Sequence, residues 1–205
     1  LIANTDWYLY NFRLALARFL REQGFQVTLV SPPGKFVEAL NRDGFPWLPW
    51  DLGRQTVAPW RELPALLALA QIYRQERADL IHHHTIKPVL YGSIAARLAG
   101  IRSVVNSITG RGYVFISNDA KASILKRIAR VLYRLALSHT NQATIFENEV
   151  DRQYFIQEKL IPAERTFLIA GVGVDTDRFT PAPELPGTPV VLLSSRMLLE
   201  KGVGS

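Results

Sequence analysis

The chain has 205 residues, 48% of them hydrophobic and 20% charged, and its mean hydropathy of +0.04 excludes a disordered chain, which would be poor in apolar residues. The absence of cysteine excludes disulfides and thiolate metal sites. A net charge of +6 favours anionic partners, whether nucleic acid, acidic lipid headgroups or phosphorylated substrates, without choosing among them.

The elements follow in chain order. Residues 1–3 read as the tail of a strand, and residues 9–23 as a helix, with Leu9, Phe12, Leu16, Phe19 and Leu20 near 3.6-residue spacing and Gly24 as its stop. A strand over 26–30 ends at Ser31-Pro32-Pro33-Gly34. A short helix over 36–41 and a short strand over 45–48 come next. Residues 60–77 form a long helix with Pro64 in its first turns. Then come a strand (80–83), a helix (88–98) closed by Gly100, a strand (103–107), a long helix (120–137), a strand (143–146) and a helix (150–159) stopped before Pro162. Strands over 166–169 and 190–194 complete the series. Strict alternation of strand and helix, with strands too apolar to face water on one side, predicts a parallel sheet covered by helices, a Rossmann-like three-layer αβα fold.

No apolar run approaches the roughly 18–20 residues that span a bilayer, and the greasiest stretch, 63–73, is broken by Pro64 and Gln71. The opening LIANTDWYLYNFR has neither a basic n-region nor a cleavage site. It also lacks Met and opens in mid-strand, so a few preceding residues are expected. Between Phe179 and Val190 the chain reads TPAPELPGTP, a proline-rich tract without apolar period, after which the buried-strand pattern VVLLSS begins. The expected division is a first domain over 1–180, a linker over 181–189, and the start of a second domain over 190–205 that is cut off at Ser205.

In a doubly wound sheet, ligands collect beyond the carboxyl ends of the strands, and four loops there carry the candidate residues. The first holds Asn4, Asp6 and, one turn inside the helix, Arg13. It has no glycine, which argues against a dinucleotide; Asp6 is either the helix N-cap or a substrate-facing group. The second holds His82, His83, His84 and Lys87. Alternation places His82 and His84 on one face and His83 on the other. The same-side pair could bind zinc, but no carboxylate or further same-side histidine is close in sequence and the only other histidine is His139; it suits hydrogen bonding or acid–base work in a cleft, or simple burial, and Lys87 offers a charge to phosphate. The third holds Thr109, Gly110, Arg111 and Gly112, where backbone N–H groups and a guanidinium can meet an anion together. The fourth holds Arg196 and Lys201, a fork and a point charge suited to a diphosphate. Separately, the helix at 120–137 has an apolar face (Ile124, Leu125, Ile128, Val131, Leu132 and Leu135). Its basic face holds Lys126, Arg127, Arg130 and Arg134. It suits either an anionic membrane surface or a packed helix with a solvated side.

Five strings in this order, DLIHHHTIKPVLYGSIAARLAG, VVNSITGRGYVF, IFENEVDRQYFI, GVGVDTDRF and SSRMLLEKGV, resemble the bacterial family-four retaining glycosyltransferases of the GT-B fold. The resemblance is to those acting in capsule, O-antigen, lipopolysaccharide and other lipid-linked oligosaccharide assembly, and it covers nearly the whole chain. It implies that the first domain holds the acceptor and the second the sugar nucleotide, with the reaction between them. Arg196 and Lys201 then match the pair that holds the donor diphosphate. The family's paired glutamates, seven residues apart, would fall beyond Ser205, and this fragment alone is then expected to be inactive. Some relatives carry a histidine before the position of Thr109, where this chain reads Asn106-Ser107-Ile108, so His84 is the candidate catalytic group of the cleft.

The resemblance implies transfer from a UDP- or GDP-sugar to a polyprenyl-diphosphate-linked saccharide, with no cofactor and no metal. Asn4, Asp6, Arg13, Lys87, Thr109, Gly110 and Arg111 would line the acceptor side. The enzyme would sit peripherally on the cytoplasmic face of the cell membrane, and nucleic acid is not an expected partner. The alternatives are a sugar-nucleotide epimerase of the same architecture, which needs carboxylates in its cleft, and a non-catalytic fragment binding an anion or a partner chain.

Overall fold

The computed structural model describes residues 1–52, 59–110, 120–183, 186–188 and 190–192, with the backbone alone for 59–61 and 120–125. The chain divides into two units, Leu1–Gly173 and Val174–Ser205. The expected linker at 181–189 falls inside the second. There Asp175 Oδ1 accepts from the N–H groups of Asp177 and Arg178 (both 3.1 Å) to make a local turn. Val190–Leu192 form no strand, and the rest of that expected strand lies outside the described residues, as do Arg111, Arg196 and Lys201.

The first unit is built on β1 (Leu29–Ser31), β2 (Trp47–Pro49), β3 (Leu80–His84), β4 (Ser103–Ile108), β5 (Gln142–Phe146) and β6 (Thr166–Leu168). All pairings are parallel: β1 with β2, and β3 through β6 in sequence order. Ile2 joins the two groups, bridging Val30 on one side and His83 on the other. The spatial order is therefore β2, β1, residues 1–3, β3, β4, β5, β6, and the chain reverses its direction of travel across the sheet between residues 1–3 and β3. In sheets of this kind the crevice for a ligand lies at such a reversal, outside the carboxyl ends of the two innermost strands.

Helices cover the sheet as alternation requires: α1 (Asp6–Tyr8), α2 (Leu14–Glu22), α3 (Val37–Arg42), α4 (Pro59–Glu76), α5 (Ser93–Ala99), α6 (Ala120–Ala136) and α7 (Glu149–Gln157). Most ends fall within two residues of the expected ones. The expected single helix over 9–23 differs: α1 and α2 are separated by a wide π-helical turn, Leu9–Arg13, and a second such turn, Pro88–Gly92, precedes α5. Both wide turns stand directly after loops of the crevice, where such turns recur at functional sites.

Among the described residues, three apolar clusters form the core. One joins α4 and α5 to the sheet around Trp50, Leu69, Tyr73 and Val104. A second places Tyr133, Ala136 and Leu137 against Phe146 and Phe155. The third packs Leu9, Leu14 and Ala17 on Leu29, Leu40 and Phe45. The side of α6 that meets the core thus carries Tyr133 and Ala136, whereas Ile128 (42% exposed), Val131 (63%) and Leu135 (44%) stand in solvent. Apolar period alone names a stripe on a helix but not which side of the helix the sheet will cover.

Candidate functional site

The histidine strand organises the crevice. As expected from alternation, His83 faces away from its two neighbours. Its Nε2 meets Tyr73 Oη at 2.9 Å and its Nδ1 meets Asn106 Oδ1 at 2.9 Å, the latter being its register partner on β4. Ser93 Oγ also donates to Asn106 Oδ1, and Asn106 Nδ2 reaches Gln142 Oε1. Burial pushes the His83 imidazole down to about 3, so it stays neutral and serves as a buried hydrogen-bonding node. A Cβ at Gly92 would overlap His83 Nε2, so the second π-helical turn can lie this close only with glycine.

On the opposite face His82 and His84 lie against each other, ring centroids 4.0 Å apart and planes tilted by 37°. His82 Nε2 meets Ser107 Oγ at 2.8 Å, and burial holds its pKa down at about 3. His84 is fully buried and its pKa is lowered well below 6.5, first by burial. Arg13 Nε, always a donor, contacts His84 Nδ1 at 2.9 Å. Nδ1 must then be the acceptor, which leaves the neutral ring protonated on Nε2. That Nε2–H is buried and has no partner among the described residues. A buried donor without a partner costs about 1–3 kcal/mol, a cost that a ligand oxygen would remove. The next residue, Thr85, has φ 72° and an equally unpartnered buried hydroxyl. A β-branched residue in the left-handed region holds about 1–3 kcal/mol of backbone strain, of the kind that gathers at binding sites.

Arg13 reaches His84 because the first π-helical turn brings Tyr8 and Arg13, five apart, to one side. Its Nη2 donates to Tyr8 Oη at 2.6 Å and lies 3.4 Å from Glu147 Oε1, while Nη1 donates to the Phe12 carbonyl at 3.0 Å. Burial, opposed by Arg13, pushes the Tyr8 phenol up to about 12, so it keeps its proton. The guanidinium is thus buried, oriented by three short contacts, and faces one carboxylate.

The other expected residues have different fates. Thr5, not Asp6, caps the first helix: its hydroxyl accepts from Tyr8 N at 3.0 Å. Asp6 is buried and accepts from Trp7 N (2.8 Å) and Phe36 N (2.7 Å), pinning the loop after β1, where a Cβ on Gly34 would overlap its carboxylate. With both oxygens engaged, Asp6 is a structural tie between loops. Lys87 Nζ donates to the buried Glu62 carboxylate at 2.8 Å. Asn4, Thr109 and Gly110 lie half-buried at the same carboxyl edge. On α6, Arg130 pairs with Glu158 (2.9 Å) and Arg134 donates to the Glu158 carbonyl; Arg127 is exposed and Lys126 half-buried. A groove of about 600 Å³ lined by Arg134, Lys159, Arg165, Leu160 and Ile161 opens at the opposite edge, by the amino ends of β5 and β6.

Sequence reasoning missed Tyr8, Ser107 and Glu147 as site residues. The signal for Glu147 was present: it is the single residue between the end of β5 and Asn148, whose side chain caps α7 by accepting from Asp151 N at 2.8 Å. A residue so placed must stand at the carboxyl edge of the sheet. For Tyr8 the signal was weaker, since its approach to Arg13 depends on the π-helical turn.

A parallel sheet in this order, with its reversal point between residues 1–3 and β3, is a Rossmann-like fold of the kind that makes up each half of a GT-B architecture. The chain belongs to the glycosyl transferase 4-like family, whose model matches residues 1–148. It is 23% identical over 208 residues to N,N'-diacetylbacillosaminyl-diphospho-undecaprenol alpha-1,3-N-acetylgalactosaminyltransferase of Campylobacter jejuni, covering 95% of this chain and 55% of that protein. It is 30% identical over 122 residues to UDP-Gal:alpha-D-GlcNAc-diphosphoundecaprenol alpha-1,3-galactosyltransferase of Escherichia coli, covering 60% of this chain and 30% of that protein. The chain thus spans about half the length of the first of these relatives and less of the second. Among solved structures, a glycosyltransferase of Rickettsia africae superposes with a TM-score of 0.62 at 14% identity, over 90% of this chain and 46% of that one, a likeness of fold alone.

Proposed function

We propose that the protein bearing this chain transfers a hexose-type sugar from a UDP- or GDP-sugar to a polyprenyl-diphosphate-linked saccharide, with retention of anomeric configuration, in the assembly of a cell-surface polysaccharide such as capsule or O-antigen. The observation that carries this reading is the family match over residues 1–148, which includes all of the crevice around Arg13 and His84. It is supported by two relatives whose names specify α-1,3 transfer onto undecaprenyl-diphosphate-linked sugars. The crevice receives the acceptor, with Asn4, Arg13, His84, Thr109 and Gly110 along it, and Arg111 is a further acceptor-binding group in this proposal. Arg196 and Lys201 hold the donor diphosphate, where cations stabilise the negative charge that grows as the glycosidic bond breaks. The engagement of both Asp6 oxygens leaves the epimerase alternative without the carboxylate it invoked.

No helix among the described residues is long and apolar enough to cross a membrane. In the proposed arrangement the protein rests peripherally on the inner face of the cell membrane through α6. There exposed Ile128, Val131 and Leu135 adjoin Arg127 and Arg134, an apolar stripe beside basic groups. Val131→Glu with Arg127→Gln should cut co-sedimentation with anionic liposomes; unchanged binding removes α6 from the proposal. The decisive test is the full-length protein with labelled UDP- and GDP-sugars and an undecaprenyl-diphosphate-linked amino sugar. A labelled lipid-linked disaccharide whose new linkage keeps the donor's configuration is expected; the absence of lipid-linked product with every donor would sink the reading.

A further inference from the structure

We propose that Glu147 receives the hydroxyl of the acceptor saccharide that is to be glycosylated, an assignment that rests on the transferase reading above. Two other carboxylates near the crevice are engaged. Asp6 accepts backbone N–H bonds at both oxygens from beneath the loop after β1, and Glu62 is buried and held by Lys87. Glu147 differs in each respect. Its side chain keeps 23% exposure, and one oxygen stands 3.4 Å from Arg13 Nη2. Its Oε2 has no hydrogen bond among the described residues.

The long contact to Arg13 has a cause. The guanidinium is already directed by His84 Nδ1, Tyr8 Oη and the Phe12 carbonyl at 2.6–3.0 Å. It therefore supplies Glu147 with a nearby positive charge without occupying its second oxygen. The result is a carboxylate anchored between a strand end and a helix cap, compensated in charge and open on one side.

Chemistry then selects what it binds. A diphosphate would be repelled by this carboxylate and belongs with the cations. A sugar hydroxyl is a donor, and an ionised carboxylate is the strongest uncharged-ligand acceptor a side chain provides. A hydrogen bond from the hydroxyl to Glu147 orients an oxygen lone pair for attack on the anomeric carbon of the donor sugar. As the new C–O bond forms and the bond to the diphosphate oxygen breaks, the diphosphate leaves with the electron pair. The hydroxyl proton moves along that hydrogen bond to the carboxylate, so atoms and charge balance. Glu147 thereby contributes to the choice of hydroxyl as well as to its reactivity.

The test uses the full-length protein, wild type and Glu147→Gln, with a lipid-linked acceptor and its analogue carrying a thiol in place of the glycosylated hydroxyl. Gln preserves size and one carbonyl acceptor but removes the charge. The expected result is a fall in kcat of at least about 30-fold with the native acceptor, while the KM for the nucleotide sugar stays within about twofold. A thiol gives up its proton far more readily than a sugar hydroxyl and needs less help from a base, so with the thiol acceptor the substitution should cost at least about tenfold less. An unchanged rate with the native acceptor overturns the assignment and leaves the transferase reading standing. So does an equal loss with the hydroxyl and thiol acceptors, which marks a purely structural role. If Gln lowers the melting temperature, Glu147→Asp, which keeps the charge but withdraws it, carries the same comparison. A wild-type protein that glycosylates no lipid-linked acceptor overturns both readings together.

Discussion

His83 and its neighbours His82 and His84 occupy one strand, and the two faces of that strand differ in how completely their polar groups are satisfied. Behind the sheet, both nitrogens of His83 are engaged by Tyr73 and Asn106, and the chain continues to Ser93 and Gln142. At the crevice, His84 is held by Arg13 on one nitrogen and has no partner for the other among the described residues, next to a strained Thr85 and a half-open Glu147. A closed polar network stabilises; an open one that has been oriented but not completed is prepared for a ligand. Identical side chains on adjacent residues thus serve fold and site.

The two faces should respond differently to substitution. The largest effect is expected on the closed side: His83→Ala, which leaves a cavity and strands Tyr73 Oη and Asn106, should lower unfolding free energy by about 3–4 kcal/mol in urea titrations. A loss below about 1 kcal/mol would show the network to be slack. On the open side, Arg13→Gln in the full-length protein should reduce sugar transfer about 100-fold, near 2.7 kcal/mol, with a smaller loss of melting temperature than His83→Ala. The reverse ranking would make the crevice structural. Gly92→Ala drives a methyl into His83 and should cost about 1–3 kcal/mol; a neutral result would mean that the second π-helical turn adjusts freely.

The pH dependence separates the histidines from ordinary surface groups. The folded-state values of His82 and His83 lie at about 3, below the ordinary 6.5, and His84 shifts the same way. Below pH 6.5 the unfolded chain binds protons that the folded chain refuses. The stability they contribute is therefore full above 6.5 and declines as pH falls from there toward about 3, by up to about 1.4 kcal/mol per pH unit for each histidine. Their imidazole NMR signals should not titrate between pH 5 and 8, and a midpoint near 6.5 for any of them would overturn its burial. Least affected should be a surface substitution. Arg18→Gln removes the pair with Asp43, but Arg18 is half exposed, so less than about 1 kcal/mol should be lost.

Period and alternation carry most of the fold. Strand-length apolar runs separated by helical periods leave few arrangements other than a parallel sheet with helices on both faces, because neither element can bury its apolar side alone. The same local rule separated His83 from His82 and His84, since successive side chains on a strand point to opposite faces. What each face meets depends on residues 10 to 134 positions away in sequence: Tyr73, Asn106, Arg13 and, for Arg13 itself, Glu147. Two insertions of a wide helical turn have no signature in composition, yet the first brings Arg13 beside Tyr8. Asp6 shows the opposite limit. Its type suits a helix cap, but Thr5 fills that place, and the carboxylate instead accepts a bond from Phe36 across the loop after β1. On α6 the apolar stripe was legible in the sequence, but only tertiary packing, by placing Tyr133 and Ala136 against the sheet, decided that Ile128, Val131 and Leu135 would face out. Local geometry determines which side chains share a face; only long-range contact decides what that face touches, and with it which polar groups remain open to a ligand.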